Sequence, residues 1–284
     1  MQIKDLAQLA EQAMIDEVMV NPKPGLVDPV TNGSHPDMDV FTFAASAVSL
    51  RSYFNEITIL GANFEGTALT ELFQQIRLLG IEAEKTMFKA TNGVNTHKGA
   101  IFSLGVMSTA ASFVLTHRNN LELEVISETI KEMLTGLTQR DFAKVKAKSP
   151  QELTAGEREY LKYGLTGIRG EAEAGFPIVF NEALPFLKDQ KNNNRNDRLI
   201  DTLMKIVSIT RDSNLIKRAG DQKIVGWAKA QANEYFSLGA SQTKEGRSFL
   251  KELDQTFTDR NLSLGGSADL LILTIYLALV FDWL

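Results

Sequence analysis

The side chains best suited to chemistry stand in five polar loops that are spread along the whole chain, and four of these loops contain glycine or proline. They cover residues 21–39, 92–99, 169–177, 211–218 and 265–269. Glycine and proline give such loops fixed, unusual backbone paths that let peptide N–H groups approach a ligand closely. If the five loops share one pocket, the chain 1–284 is a single helical domain whose inter-helix loops converge on one cleft.

Residues 92–99 have the composition of a phosphate-binding loop. Asn95, Thr96 and Lys98 stand directly before the apolar stretch 100–115, whose helix would point the positive end of its dipole at this loop. Lys98 would add a full positive charge. The structural alternative is an ordinary helix N-cap by Asn95 or Thr96, with an exposed lysine beside it.

Two short acidic pairs could hold a metal ion or move protons. Asp37 and Asp39 could share Mg²⁺, which prefers oxygen ligands and often bridges to phosphates. Capping of the following helix by either aspartate is the alternative. Glu171 and Glu173 flank a glycine-rich turn and, in extended backbone, would point to the same side as an acid/base or metal pair. In a helix, Glu173 would instead pair with Arg169.

Asp269 and the histidines also allow two interpretations each. Ser267 as a helix N-cap, with Asp269 favouring the helix dipole, is a complete structural explanation of that segment. A carboxylate there would repel phosphate unless a metal ion lay between. His35 and His97 stand in polar loops, which favours a functional role, whereas His117 ends a helical pattern and suits a surface position matched to the dipole.

Helical periodicity dominates the segments between these loops, and the two-residue alternation of strands is scarce. The sequence therefore predicts an all-α fold, a multi-helix bundle. Segments 140–150 and 188–198 are expected to be solvated connections. Beyond an N-terminal helix through residues 6–14, helices are predicted at about 39–60, 66–90, 99–117, 121–138, 173–188, 197–209, 221–238, 244–259 and 267–283.

Bulk composition excludes several classes of function. The 284 residues include no cysteine, so disulfides, thiolate metal sites and cysteine nucleophiles are excluded, which fits a cytoplasmic protein. A net charge of −5 argues against nucleic acid as a partner. The start, residues 1–6, shows no basic segment followed by an apolar one, so no secretory signal is predicted, and the most apolar stretch, 270–281, is too short to cross a membrane.

Taken in order, the loops resemble one family, triphosphoribosyl-dephospho-coenzyme A synthase. The order and spacing hold over essentially the whole chain, and the ordered set is highly specific. Family members often have proline at the position of Leu264 and alanine at that of Ser34. The matching segments are Asn-Pro-Lys-Pro-Gly-Leu-Val-Asp at 21–28, Asn-Gly-Ser-His-Pro-Asp-Met-Asp at 32–39, Gly-Val-Asn-Thr-His-Lys-Gly-Ala-Ile-Phe-Ser-Leu-Gly at 93–105, Tyr-Gly-Leu at 163–165, Arg-Gly-Glu-Ala-Glu-Ala-Gly-Phe-Pro at 169–177, Asp-Ser-Asn-Leu at 212–215 and Asn-Leu-Ser-Leu-Gly-Gly-Ser-Ala-Asp-Leu-Leu at 261–271.

The resemblance implies a helical enzyme whose substrates are ATP and 3′-dephospho-coenzyme A. The ribose 2′-hydroxyl of dephospho-coenzyme A would attack the anomeric carbon of the ATP ribose, so that adenine leaves and the triphosphate stays attached. The product would become the prosthetic group of the acyl carrier subunit of citrate lyase or malonate decarboxylase. The resemblance also implies Mg²⁺ as a cofactor and a contact with a holo-carrier-protein synthase.

The implied reaction suggests a chemical role for each of the candidate loop residues. Glu171 or Glu173 is the predicted base, with His35 or His97 near the departing adenine. A carboxylate near the oxocarbenium-like sugar would stabilise it. The predicted metal or oxocarbenium ligands are Asp37, Asp39 and Asp212, with Asp269 as a further metal ligand. The predicted nucleotide-binding residues are Lys23, Gly93, Asn95, Thr96, Lys98, Arg169, Arg211, Ser213, Asn214, Arg218, Gly266 and Ser267.

Two other functions stay open at this point. A Mg²⁺-dependent helical hydrolase of nucleotides or ADP-ribose would use the same carboxylate loops with water as the nucleophile. A non-catalytic helical binding module would need no nucleotide affinity, and the five charged loops, four of which contain glycine, speak against it.

Overall fold

The computed structural model describes residues 2–118, 121–149, 151–190 and 194–284. Within these ranges the chain is helical and contains no strand, which confirms the predicted all-α class. A π-helical segment, Val179–Ala183, directly precedes one of the helices. The α-helices are α1 Ile3–Val18, α2 Val40–Ser49, α3 Arg51–Ala62, α4 Leu69–Ala90, α5 Lys98–His117, α6 Leu123–Leu134, α7 Leu137–Phe142, α8 Ala155–Tyr163, α9 Gly167–Glu173, α10 Leu184–Asp189, α11 Arg195–Ile209, α12 Ser213–Ala219, α13 Ile224–Ser237, α14 Lys244–Asp259 and α15 Gly265–Val280.

The core is built around α5 and α15, the two most apolar helices. Both are apolar on every side and are almost wholly buried, as expected for helices surrounded by others. Helices α1 and α3 pack against α5, and α1 and α11 pack against α15. One hydrophobic cluster draws its side chains from α1 at one end of the chain to α15 at the other.

Helix α5 is long and apolar enough to cross a membrane by length and composition alone. However, 78% of its most apolar window is buried inside the protein. Its polar residues also make contacts inside the protein, since the Ser112 hydroxyl donates to the carbonyl of Thr58 in α3. These contacts are those of a core helix.

The helix boundaries differ from the predicted ones mainly around residues 150–190. A helix was predicted over 173–188, but Gly175 and Phe176 both have positive φ and end α9, so that a new helical path begins after them. Of the two alternatives for the segment with Glu171 and Glu173, the helix is the one found, as α9, although Arg169 pairs with Asp141 and not with Glu173. Helices α8 and α12 were not predicted. Their apolar residues are too few for a clear periodic pattern.

The packing brings three loops and one helix to the same region of the molecule. The connection between α1 and α2 lies beside the residues that precede α5 and those that precede α15, and α12 lies next to them. Because α5 and α15 are fixed in the core over their whole length, the residues at their N-terminal ends are held on rigid supports.

Candidate active site

A cavity of about 350 Å³ lies where these segments meet, and it is called the main cavity below. Nine residues proposed from the sequence line it, which brings together parts of four of the five loops. They are Lys23, His35, Asp37, Asn95, Thr96, His97, Asn214, Arg218 and Asp269. The other lining residues are Glu17, Leu26, Val27, Met38, Phe43, Gly99, Lys217, Ser263, Gly265, Ala268 and Ile272.

His97 lines this cavity and has one ring nitrogen that is not hydrogen-bonded to any described residue. Its side chain is 1% exposed, and Nε2 has no hydrogen-bond partner among the described residues. Nδ1 lies 2.7 Å from the hydroxyl of Ser46, which itself accepts a hydrogen bond from Thr96 at 2.7 Å. Ser46 accepts from Thr96, and among the described residues Nδ1 is the only acceptor within reach of its own proton. With the Ser46 proton placed on Nδ1, the proton of the neutral ring stands on Nε2. His97 is therefore a hydrogen-bond donor.

The ring of His97 stays neutral at physiological pH. Burial, with a contribution from the charge of Lys23, lowers the pKa of His97 to about 3. The edge-to-face contact with Phe43, at 5.1 Å between ring centroids, fixes the orientation of the imidazole. His97 can thus polarise a ligand atom by hydrogen bonding without carrying a charge.

His35 has both ring nitrogens occupied. Arg218 donates from Nη2 to Nδ1 at 3.1 Å, so Nδ1 is unprotonated and Nε2 donates to the Ser263 hydroxyl at 3.0 Å. Burial and the nearby Arg218 charge lower the pKa of His35 to about 4. The guanidinium of Arg218 also donates to the Ser34 carbonyl, which ties α12 to the α1–α2 connection. His35 thus holds Arg218 in position.

Asp269 is a cavity carboxyl group without a hydrogen bond or an ion pair to any residue in the described ranges. It lies against the start of α5, where a methyl group built on Gly99 would come 1.9 Å from Oδ2. Burial, together with the charges of Asp212 and Glu17, raises the pKa of Asp269 to about 8. Helix α15 begins at Gly265 and its N-cap is Leu264, so the expected capping by Ser267 is not what positions Asp269.

Lys23 and Glu17 form a buried ion pair at the wall of the cavity. Lys23 is 1% exposed, and its ammonium donates to the Glu17 carboxylate at 2.5 Å and to the Glu17 carbonyl at 2.8 Å. The backbone here is held by Asp28, whose carboxylate accepts from the amides of Lys23 and Thr31. Lys23 therefore reaches the cavity as predicted, with most of its charge already balanced.

Lys217 is a cavity cation that the sequence did not single out. It stands three residues after Asn214, one turn further along α12, so the two side chains share a face of the helix. Its side chain makes no hydrogen bond or ion pair with another described residue, although its charge acts on Glu159. A lysine side chain at a cavity, without an ion-pair partner among the described residues, favours an anionic ligand.

The predicted metal ligands Asp39 and Asp212 have other contacts. Asp39 is the N-cap of α2 and accepts from the Thr42 amide at 2.8 Å, which is the capping alternative. Asp212 is buried and caps α12, accepting from the amides of Asn214 and Leu215. It also accepts from the amide and the hydroxyl of Ser267, which fixes the start of α15 to α12. Both aspartates thus position the elements that carry the site.

Neither Glu171 nor Glu173 is among the residues that line the main cavity. Both lie in α9, and each is held by a neighbouring segment. Glu171 accepts from the Ile178 amide at 2.8 Å, while Glu173 accepts from the amide and hydroxyl of Thr138. Burial raises the pKa of Glu171. The base role proposed for them stays a prediction that these contacts do not support.

The remaining predicted binding residues lie around the main cavity or in a neighbouring one. Lys98 and Arg169 line a second cavity, described below. Arg211 is exposed and donates to Gln222 at 3.1 Å. Four others, Gly93, Ser213, Gly266 and Ser267, do not line the main cavity, but the last three adjoin Asp212 or Asn214 at its edge.

No group of three or more carboxylate or imidazole side chains converges on a common point within the described part of the chain. Mg²⁺ is commonly bound by one or two carboxylates together with substrate phosphates, so such a group is not needed. Asp37 meets that requirement. It is exposed, lines the main cavity and takes no hydrogen bond through its carboxylate from the described residues.

Comparison with known proteins gives a consistent result over nearly the whole chain. The family model for ATP:dephospho-CoA triphosphoribosyl transferase matches residues 3–284. A protein of Lactiplantibacillus plantarum named "Probable 2-(5''-triphosphoribosyl)-3'-dephosphocoenzyme-A synthase" is 53% identical over 282 residues, which cover 99% of both chains. No solved structure matches the chain.

A second relative is longer than this chain. "Protein CitXG" of Leuconostoc mesenteroides subsp. cremoris is 51% identical over 266 residues, which cover 93% of this chain and 56% of that protein. The family resemblance seen in the ordered loops is therefore confirmed at the level of the whole chain. The chain belongs to the ATP:dephospho-CoA triphosphoribosyl transferase family, enzymes that transfer the triphosphoribosyl group of ATP to dephospho-coenzyme A.

Proposed function

We propose that the main cavity binds the ribose and triphosphate of ATP, and that ionised Asp269 accepts the proton of the attacking hydroxyl group. The observation that carries this proposal is an unpaired carboxyl group with a pKa of about 8, in one cavity with a neutral histidine that has an unused N–H. A base titrating near the working pH combines a useful ionised fraction with a real affinity for the proton.

The transfer breaks the bond between C1′ of ATP and N9 of adenine and forms a bond between C1′ and the ribose 2′-oxygen of dephospho-coenzyme A. The hydroxyl proton passes to Asp269, and adenine takes up one proton, so the proton count balances over the cycle. Charge develops on adenine as it departs. The Nε2–H of His97 is suited to stabilise that charge because it is a fixed donor with no other partner among the described residues.

The ionised Asp269 has a second use at the same position. The attacked sugar acquires oxocarbenium character, and a nearby carboxylate stabilises positive charge on it, as in glycoside hydrolysis. Both uses require the ionised form. The assignment of the base to Asp269 therefore replaces Glu171 and Glu173 and does not depend on which of the two uses dominates.

The triphosphate must be neutralised without being cleaved. Lys217 and Arg218 supply cations at the cavity, and Asn95 and Thr96 stand at the N-terminal end of α5, where backbone N–H groups favour anions. We assign Mg²⁺ to Asp37 and the phosphate oxygens, where the ion would supply further charge neutralisation. Asp39, Arg211 and Asp212 position these elements and need not touch the nucleotide.

A direct test combines the purified protein with ATP, Mg²⁺ and dephospho-coenzyme A. The proposal expects adenine release to depend on dephospho-coenzyme A, with a product heavier by one triphosphoribosyl group in the mass spectrum. Appearance of ADP or AMP, or adenine release that ignores the acceptor, would instead favour the hydrolase. Asp269→Asn should abolish the product, with Glu171→Gln as the matched control.

The cellular location and the protein partner are proposed on indirect grounds. Because ATP is a substrate, we place the reaction in the cytoplasm. The contact with a holo-carrier-protein synthase stays a proposal, supported by the fact that "Protein CitXG" joins a region like this chain to additional sequence.

A further inference from the structure

A second cavity, of about 330 Å³, shares the lining residue Gly99 with the main cavity. Its wall is mostly apolar and is formed by α3, α4, α5, α7 and α9. The side chains that line it include Phe73, Ile76, Ile81, Phe102 and Ile168. Gly99 lines both cavities, so the two meet at the N-terminal end of α5. A ligand long enough could occupy both.

The charged residues of this cavity form a compact group. Asp141 accepts ion pairs from both Arg77, at 2.8 Å, and Arg169, at 2.9 Å, and Lys98 pairs with Glu84 at 2.6 Å. Three cations thus face two carboxylates. One positive charge is left over, and two guanidinium groups share a single carboxylate, so N–H donors remain for an anionic or carbonyl-containing ligand.

We propose that the second cavity holds the pantetheine arm of dephospho-coenzyme A, with its diphosphate beside Lys98 and Arg169. The inference rests on the proposed function, because the ribose of the same molecule must then present its 2′-hydroxyl to Asp269. The arm is a narrow chain of methyl, methylene and amide groups, which suits an apolar slot with a few donors. The diphosphate stands between ribose and arm, which matches the order Asp269, Gly99, Lys98 along the two cavities.

Gly80 gives a precise way to fill this slot. It lies inside α4 and lines the second cavity, and a methyl group built on it would make ordinary contacts of 3.7 Å with Tyr53 and 3.8 Å with Ile101. The first carbon of a side chain thus fits at this position of the cavity wall, and we expect a larger side chain to narrow the slot. Gly226 in α13 has open space around it and is the matched control.

The experiment measures KM for dephospho-coenzyme A and for ATP in Gly80→Leu, Gly226→Leu and the wild type. We expect Gly80→Leu to raise KM for dephospho-coenzyme A by about tenfold or more, with KM for ATP within about twofold, because only acceptor binding is obstructed. Gly226→Leu should resemble the wild type in both constants. A rise in KM for ATP alone would overturn the inference, since the cavity would then hold the nucleotide.

A second variant tests the same cavity in case Gly80→Leu does not fold. Ile81 is half-exposed at the mouth of the cavity, and Ile81→Trp should narrow the slot without disturbing the core. If both variants transfer the group with an unchanged KM for dephospho-coenzyme A, the inference is wrong and the proposed function stands. If the wild type makes no transfer product at all, the proposed function itself fails.

Discussion

The carboxylate of Asp269 and the Cα of Gly99 are in direct contact across the start of α5. A side chain of even one carbon at position 99 would lie 1.9 Å from Oδ2 of Asp269. The glycine therefore allows a carboxyl group from α15 to lie at the point where the two cavities meet. This contact joins the two most buried helices of the core at the candidate active site.

Gly99→Ala should abolish most of the activity while leaving the fold intact. The added methyl group must displace Asp269, and a shift of about 1 Å in a catalytic group can cost about 10²-fold in rate. Steady-state measurement of kcat/KM checks this. Gly226→Ala in α13 is the control, since nothing lies within 4 Å of the added carbon. Wild-type kcat/KM in Gly99→Ala would contradict the placement of Asp269.

Lys217→Gln should weaken ATP binding and leave the chemical step largely unchanged. A charged hydrogen bond to phosphate contributes about 1.5–3 kcal/mol, so KM for ATP should rise by about 10- to 100-fold. The wild-type KM should also rise with salt concentration more steeply than that of the variant. Lys251→Gln, on the exposed face of α14, is the charge-matched control. An unchanged KM for ATP would remove Lys217 from the site.

Ser46→Ala should lower kcat without altering KM for ATP. The Ser46 hydroxyl fixes the proton of His97 on Nε2, and its loss corresponds to about one hydrogen bond, or about 5- to 10-fold in rate. Because the pKa of His97 is about 3, the loss should be the same from pH 6 to pH 9. Nitrogen chemical shifts of the imidazole should show a single tautomer in the wild type and a mixture in the variant. A single tautomer in both would contradict this positioning role.

Glu171→Gln and Glu173→Gln should each keep kcat within about threefold of the wild type, as expected of residues outside the reacting centre. The amide oxygen of glutamine can still accept from the Ile178 amide or from Thr138, so α9 should remain in place. Comparison of kcat with thermal unfolding separates loss of chemistry from loss of fold. A fall of about 10²-fold or more in a folded variant would return the base to α9.

The fold was largely predictable because long stretches with helical periodicity of apolar residues determine both the type and the approximate bounds of an element. The helices α4, α5, α11, α14 and α15 appear within a few residues of their predicted bounds. The break at Leu50 between α2 and α3 was not predictable, since no glycine or proline marks it. Short helices such as α12 are held by capping from Asp212 and by tertiary contacts, which leave little periodicity in the sequence.

The site was predictable only in part, because loops show which residues are available but not which way they point. His97, Asp37 and Arg218 do meet in one cavity. Glu171 and Glu173 stand in a segment just as rich in glycine, yet α9 directs them toward Ile178 and Thr138. Two features of the sequence could have indicated the cavity residues Lys217 and Glu17, which were not predicted. Lys217 follows Asn214 by one helical turn, and Glu17 lies in the last turn of α1, directly before the loop that carries Lys23.

The half-buried carboxyl group of Asp269 should also make the stability of the protein depend on pH. The pKa of Asp269 is about 8 in the folded protein against 3.8 ordinarily, so between these values the folded state holds a proton that the unfolded state lacks. This contribution to stability is complete below pH 3.8 and is lost as the pH rises through 8. The active, ionised form is thus the less stable one.

The most direct test of the account is the pH dependence of kcat/KM for acceptor-dependent adenine release in the wild type and in Asp269→Asn. Because only ionised Asp269 can act, the wild-type value should rise with pH and level off above about 8. Asp269→Asn should fold, unfold at a higher temperature than the wild type at pH 8, and be slower by about 10²- to 10⁴-fold with no rise near pH 8. A folded Asp269→Asn that keeps both the rate and the pH profile of the wild type would contradict the central claim.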